Sequence, residues 1–396
     1  MIYLGPLYKP SDEGEILKLS SGGASNASNN FQINLLDGFF ENRAENLRII
    51  NVLPVGIWPK AYKKMCLPYK TWKYRNCEAF EIGGVNLPVV KQISRELSVK
   101  KLLRKLTATD KEILIYSTYL PFLRAVMPLD SDVKVTLIVT DLPEYYDFGR
   151  TSCLKRLLRR INNVFIHRAL KRVDRFVLLT EYMHKPLDVG ERPYVVVEGI
   201  CAAGAEKPIR GQNRIDSEKE IIFYSGSLQS HFGINNLLDA FEMIDREDVE
   251  LWLCGAGDSA EYIKELAEKD SRIRFYGYVS HEEVAKLRSQ ATIMVNPRTS
   301  EGEYTKYSFP SKTMEYMLSE RPVVMCRLPG IPREYEDYVF FTEDSSVDAL
   351  YQKLLEVLSY SPEKRKNIGM KAARYVAEEK NPTVQAKRIL QLMSLL

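Results

Sequence analysis

Short runs rich in β-branched and other apolar residues recur along this chain, separated by stretches whose apolar residues follow helical spacing. That alternation is the signature of βαβ units, whose parallel strands are covered on both faces and so read as unbroken apolar runs. In the second half, residues 220–225 (EIIFYS), 250–254 (ELWLC), 272–276 (RIRFY), 292–295 (TIMV) and 322–326 (PVVMC) predict strands. Residues 235–243, 260–268, 282–289 and 312–318 predict helices between them. In the first half 2–4, 48–53, 113–117, 135–139, 176–180 and 194–197 read as strands, while 60–83 reads as irregular. The expected architecture is α/β: two Rossmann-like, doubly wound domains, 1–200 and 201–382, facing a central cleft with ligand at the carboxyl ends of the strands. The boundary follows YVVVEGI, where periodicity gives way to Gly, Pro and charge, with a hinge near 199–218. Two amphipathic helices after Ser361 are broken at Asn381-Pro382, which would let the last, 383–396, pack back on the first domain.

Several classes drop out. No apolar run approaches the roughly 20 residues of a bilayer-spanning helix, and the first residues read as a strand, not a cleavable leader, so the chain is expected in the cytoplasm. The 6 cysteines are scattered without a CxxC pair, which argues against structural zinc. The 4 histidines never pair at ligand or triad spacing, and no GxxxxGK[ST] loop is present, so metal hydrolases, proteases and P-loop enzymes lack their main residues. The net charge of +4 conceals a split: residues 1–200 carry 30 cations against 21 acids (+9), and the remainder 26 against 31 (−5). The first half is therefore expected to meet something anionic.

Three local patterns carry chemistry. Gly22-Gly23-Ala24-Ser25 lies between a strand and a helix predicted over 26–39, where glycine lets backbone amides approach a phosphate or sugar; Gly23 is the candidate donor contact, though an ordinary turn explains the pair equally well. The strongest stretch, 296–324 (NPRTSEGEYTKYSFPSKTMEYMLSERPVV), runs from a strand end through a loop into a helix opening near Pro310. The amides of Ser311, Lys312 and Thr313 with the Lys312 ammonium would make an anion site, and Glu315 one turn on could accept two hydroxyl donors from a ribose, unless it is simply a solvated glutamate on a capped helix. Finally, 150–172 (RTSCLKRLLRRINNVFIHRALKR) has no acid; Leu154, Leu157, Leu158, Ile161 and Phe165 form one stripe flanked by Lys155, Arg156, Arg159 and Arg160. Such a helix can lie on anionic lipid, at about 1 kcal/mol per cation, or can pack its stripe on the sheet. Lys100, Lys101, Arg104 and Lys105 could extend the basic patch; no nucleic-acid-binding module accompanies it.

FPSKTMEYMLSERPVV after a strand ending NPR resembles the donor-sugar-nucleotide segment of retaining GT-B glycosyltransferases of family 4 (group 1). The likeness extends to YSGSLQSHFGINNLLDAF, LWLCGAGDSAEYIKEL and IRFYGYVSHEEVAKLRSQATIMVNP, and covers about residues 220–330; in the first half it rests on GGAS, VTDLPEYY and architecture. It implies that Glu315 holds the ribose and Ser311, Lys312 and Thr313 the diphosphate. Tyr278 and Val279 would border the nucleobase, while Gly226, Ser227, Gly255 and Gly257 line the same pocket. It also exposes departures. The family's first glutamate falls on Tyr307, its arginine and lysine after the first strand of this domain on Ser227 and Phe232, and its cleft histidine on Thr140. Arg298 and Lys312 are the replacement cations, Glu301 or Glu303 the replacement carboxylate, and Asp141 a candidate for the acceptor hydroxyl or else an N-cap. Asp130-Ser131-Asp132 is formally a DxD metal motif but enters a strand instead of leaving one, so no metal is expected.

The implied activity is transfer of a sugar from a nucleotide-diphospho-sugar, the co-substrate, to a lipid-linked glycan of a bacterial surface polysaccharide, with retention of configuration, without a metal or other cofactor and without nucleic acid. Its place would be the inner face of the cell membrane, reached through the basic helix. A GT-B sugar-nucleotide epimerase and a catalytically inactive partner subunit are the alternatives, the latter suggested by the lost glutamate, arginine and lysine.

Overall fold

A computed structural model describes residues 1–21, 26–44, 46–145, 153–202 and 219–396. The chain divides into two compact units, Met1–Ile200 with Pro382–Leu396, and Cys201–Asn381.

The first unit contains β1 (Ile2–Gly5), β2 (Arg48–Asn51), β3 (Cys66–Leu67), β4 (Lys70–Tyr74), β5 (Cys77–Glu81), β6 (Gly84–Val85), β7 (Glu112–Tyr116), β8 (Lys134–Val139), β9 (Arg175–Leu178) and β10 (Tyr194–Val196). Its helices are α1 (Glu13–Leu19), α2 (Asn26–Glu41), α3 (Val90–Leu106), α4 (Leu120–Val126) and α5 (Cys153–Leu170). Eight strands form one sheet in the order β10-β9-β8-β7-β1-β2-β5-β4, parallel except at β4, while β3 and β6 pair separately. Central strands are buried, wholly in IYLG of β1 and in all but the first residue of EILIY of β7, because helices cover both faces. The stretch 60–83, read as irregular, in fact holds β3, β4 and β5. Its β4–β5 hairpin turns at Arg75, which has a positive φ, and β4 (KTWKY) is a largely exposed edge strand with no apolar run to betray it.

The second unit contains β11 (Glu220–Ser227), β12 (Val249–Ala256), β13 (Ile273–Gly277), β14 (Ile293–Asn296), β15 (Val323–Cys326) and β16 (Phe340–Thr342). Its helices are α6 (Ile234–Glu242), α7 (Ala260–Lys269), α8 (His281–Gln290), α9 (Lys312–Met317), α10 (Val347–Leu358) and α11 (Pro362–Glu379). The sheet is parallel throughout, in the order β13-β12-β11-β14-β15-β16. Leu237, Leu238 and Phe241 of α6 and Leu350, Leu354 and Val357 of α10 share one core with Ile222 and Leu251 of the strands. Because the order reverses between β11 and β14, the helices following those two strands cover opposite faces, and the sheet leaves a crevice at their carboxyl ends. α12 (Pro382–Leu392) belongs to the first unit, where its Ala386, Ile389 and Leu390 share a core with Leu35, Leu36 and Phe39 of α2.

Candidate functional site

The second unit's switch point is built from the ends of β11, β12 and β14 and the start of α9. Gly226 pairs with Gly255 in register, and a Cβ on Gly255, whose φ is +142°, would lie 1.8 Å from the Gly226 carbonyl oxygen. Only glycine allows that approach. A Cβ on Gly233, at the start of α6, would lie 2.0 Å from the Pro297 carbonyl oxygen, so the 230–233 turn is drawn against the end of β14. Phe232 is thereby placed beneath Arg298, whose guanidinium carbon lies 5.2 Å from that ring and 5.4 Å from the ring of Tyr304. Burial pulls the Arg298 pKa down, opposed by Tyr304 and Tyr224. Phe232, where the resemblance places a lysine, thus forms an aromatic platform for the arginine that follows β14.

On the other side of β11, α9 is pinned to the strand. The Tyr316 hydroxyl, fully buried, donates to the Ser225 carbonyl at 2.9 Å and accepts from the Ser225 N–H at 3.0 Å. Lys312 is carried to the strand end, where a Cβ on Gly226 would touch its Cε at 3.6 Å. Its ammonium pairs with Glu315 at 3.2 Å, both side chains being part-exposed. Thr313 is wholly buried; its hydroxyl donates to the Met325 sulfur and its amide to the Pro310 carbonyl at 2.8 Å. Of the three amides expected to face an anion, Thr313's is therefore engaged in the helix turn, and those of Ser311 and Lys312 take no backbone acceptor among the described residues. Ser225 Oγ, Arg298 Nε and Ser308 Oγ are buried without a partner among the described residues. Tyr278 stands 85% exposed after Gly277, with Val279 half-buried beside it. Glu301 and Glu303 lie exposed in the loop where Gly302 takes a φ of +87°, and Tyr307 closes the short helical turn Glu303–Tyr307.

In the first unit, Gly22-Gly23-Ala24-Ser25 lies outside the described residues, as does most of the expected hinge. The Asp141 carboxylate accepts from the Thr140 hydroxyl at 3.2 Å. Asp132 of the DxD sequence pairs with Lys111 at 2.9 Å, and no cluster of three or more His, Cys, Asp or Glu able to hold a metal occurs among the described residues. On α5, Arg156 and Arg160 are exposed and Arg159 is half-buried; the Lys155 side chain lies outside the described set. The alternative of packing the α5 stripe onto the sheet does not hold for Leu157, Leu158, Ile161 and Phe165, which are 45–57% exposed.

Two residues escaped the sequence reading. Tyr316 looks like core filler one position from Glu315, and no spacing marks it as the tie to β11. Glu81 ends β5 as a buried carboxylate whose pKa burial raises, with Oε2 3.4 Å from Asn51 Nδ2.

Two Rossmann-like units, one bearing cations and helix amides at the switch point of its parallel sheet, define a doubly wound α/β class. Residues 205–375 match the family of glycosyl transferases, group 1. Across the chain the fold is GT-B. Sucrose-phosphate synthase from Thermosynechococcus elongatus superposes with a TM-score of 0.67 at 15% identity, covering 100% of this chain and 98% of the other. Trehalose-6-phosphate from E. coli bound with UDP-2-fluoro glucose, as that structure is described, gives 0.67 at 11%, covering 100% of both chains. The lipopolysaccharide outer core galactosyltransferase WaaB, in its apo form, gives 0.64 at 12%, covering 99% and 98%. No curated protein sequence matches. The resemblance to group 1 GT-B glycosyltransferases read from the sequence holds.

Proposed function

We propose that the chain is a retaining, metal-independent glycosyltransferase that moves a sugar from a nucleotide-diphospho-sugar to a lipid-linked glycan in bacterial surface polysaccharide synthesis. The observation that carries this reading is the pair of cations at the second unit's switch point: Arg298 above Phe232, and Lys312 beside Gly226. The anomeric carbon–oxygen bond to the diphosphate breaks, the acceptor oxygen bonds to the same face of that carbon, and its proton passes to the departing phosphate. The protein's share is to stabilise charge on the leaving group, for which two prepositioned cations and the amides of Ser311 and Lys312 are suited. Glu315, released from Lys312, takes the ribose hydroxyls, and Tyr278 and Val279 border the base. Glu303 serves the donor sugar and Asp141 the acceptor hydroxyl.

The exposed stripe and cations of α5 support a lipid-borne acceptor and a place at the inner membrane surface. No helix among the described residues is long and apolar enough to cross a membrane, so contact would be peripheral. Incubation with a panel of nucleotide sugars tests the activity: slow donor hydrolysis marks a transferase, interconversion an epimerase, silence an inactive partner. Arg298→Ala with Lys312→Ala is expected to cost turnover about a hundredfold or more, the scale of losing one preorganised donor. Unchanged turnover would remove both cations from the mechanism.

A further inference from the structure

The first unit carries a surface that sugar transfer does not explain. On α5, Leu157, Leu158, Ile161, Val164 and Phe165 are 45–67% exposed, and on α3, Ile93 and Leu97 are 53% and 60% exposed. Apolar ridges of this extent on neighbouring helices mark an interaction surface. Two recesses open where α3, α4 and α5 meet, and Arg124 borders both. One, of about 300 Å³, is lined by Ile93, Leu120, Pro121 and Ile166 among others. The other, of about 410 Å³, is lined by Lys100, Arg124, Met127, Pro128, Phe165 and Arg168.

The charges in the second recess do not cancel. Glu96 is shared by Lys100 at 2.7 Å and Arg124 at 3.3 Å, while the exposed Arg168 has no partner among the described residues. Three cations therefore line this recess, and the one carboxylate that pairs with two of them, Glu96, lines the other. The Arg124 guanidinium also lies 5.8 Å from the Phe165 ring, so charge and apolar surface sit side by side. Lys101, Arg104 and Lys105 are exposed further along α3.

We propose that this face lies in the surface of a bilayer and that the recess of Lys100, Arg124 and Arg168 seats the phosphate of one anionic phospholipid, its acyl portion against Phe165, Met127 and the neighbouring apolar recess. The inference rests on the membrane contact proposed above and adds to it a discrete lipid site. A phosphate supplies the acceptors that two guanidinium groups and an ammonium require, and Arg can meet it bidentately. The apolar lining selects an amphiphile over a free anion, and the surplus positive charge selects an anionic surface over a neutral one.

Co-sedimentation of the full chain with phosphatidylcholine vesicles, with and without phosphatidylglycerol, tests the site when combined with melting curves in dihexanoylphosphatidylglycerol or inorganic phosphate. The wild-type chain is expected to bind vesicles containing phosphatidylglycerol and to melt higher, saturably, with the short-chain lipid but not with inorganic phosphate. Arg124→Ala with Arg168→Ala should weaken vesicle binding about tenfold and abolish the melting shift, whereas the charge-matched pair Arg156→Ala with Arg160→Ala should retain the shift. Arg168→Glu, at an exposed position, repeats the test in a variant with no packing to lose. Vesicle binding with equal losses from both pairs, or an equal shift with inorganic phosphate, overturns the lipid site and leaves the membrane contact standing. A wild-type chain that ignores phosphatidylglycerol overturns both.

Discussion

At the scale of single residues, Arg298 stacks above Phe232, the position where the resemblance places a lysine. The Arg298 guanidinium supplies a charge there, and Phe232 supplies the ring beneath it. A swap follows as a prediction. Arg298→Ala should lose turnover, and adding Phe232→Lys to it should restore most of that loss; a double variant no better than the single would mean that Arg298 acts through something other than its charge. A second residue-scale prediction concerns Lys91, 5% exposed on α3, whose ammonium donates to the Val55 carbonyl and lies 3.5 Å from that of Gly56. Burial, with Arg95 nearby, lowers its pKa to about 7. Above that pH the unfolded chain holds a proton that the folded chain lacks, so Lys91 makes stability rise with pH until its unfolded value, about 10.4, is reached. Thermal melting should therefore show a wild-type stability gain, relative to Lys91→Met, of up to about 2 kcal/mol between about pH 7 and 8.5. Parallel curves for the two proteins would show that Lys91 stays charged in the fold.

Among elements, the strands best read from sequence are those covered on both faces. EIIFYS and ELWLC lie inside β11 and β12, because burial on two sides forces an apolar run that neighbouring polar turns delimit. The same logic fails for β4, whose residues alternate between solvent and a single covered face, and for the short β16 (FFT), too brief to stand out. For the second unit's site, residue types and order were legible: Gly226, Gly255, Lys312, Glu315 and the arginine after β14 all lie at strand ends or the start of α9. Contacts were not, since neither the stacking of Arg298 nor the engaged amide of Thr313 follows from spacing. The tie between α9 and β11 was likewise invisible. Tyr316→Phe removes the hydroxyl that bridges both backbone groups of Ser225, and leaving a buried group unpaired costs about 1–3 kcal/mol. Chemical denaturation should register that loss, and nucleotide affinity should fall with it because Lys312 rides on the same helix. Reduced affinity without reduced stability would mean that the hydroxyl acts on the ligand directly.

At the scale of the whole chain, sequence distance and structural membership part company. Residues 382–396 follow the second unit in the sequence yet complete the first, with Asn42 Nδ2 donating to the Thr383 carbonyl at 2.8 Å and a Cβ on Gly38 due to fall 2.1 Å from the Pro382 carbonyl oxygen. Removing everything after Asn381 uncovers the apolar side of α2 while leaving the second unit's core intact. Calorimetry of that truncated chain should show the first unit's transition lowered or absent and the second unit's preserved; two unchanged transitions would mean that α12 adds nothing to the first unit's stability.

During synthesis the same arrangement sets an order of events. The ribosome finishes residues 201–381 before it makes the helix that seals the earlier fold, so the second unit can become self-sufficient while the first, begun long before, still shows Leu35, Leu36 and Phe39 to the surroundings. The face of α2 that α12 covers therefore stays open to chaperones and to neighbouring chains until residues 382–396 emerge.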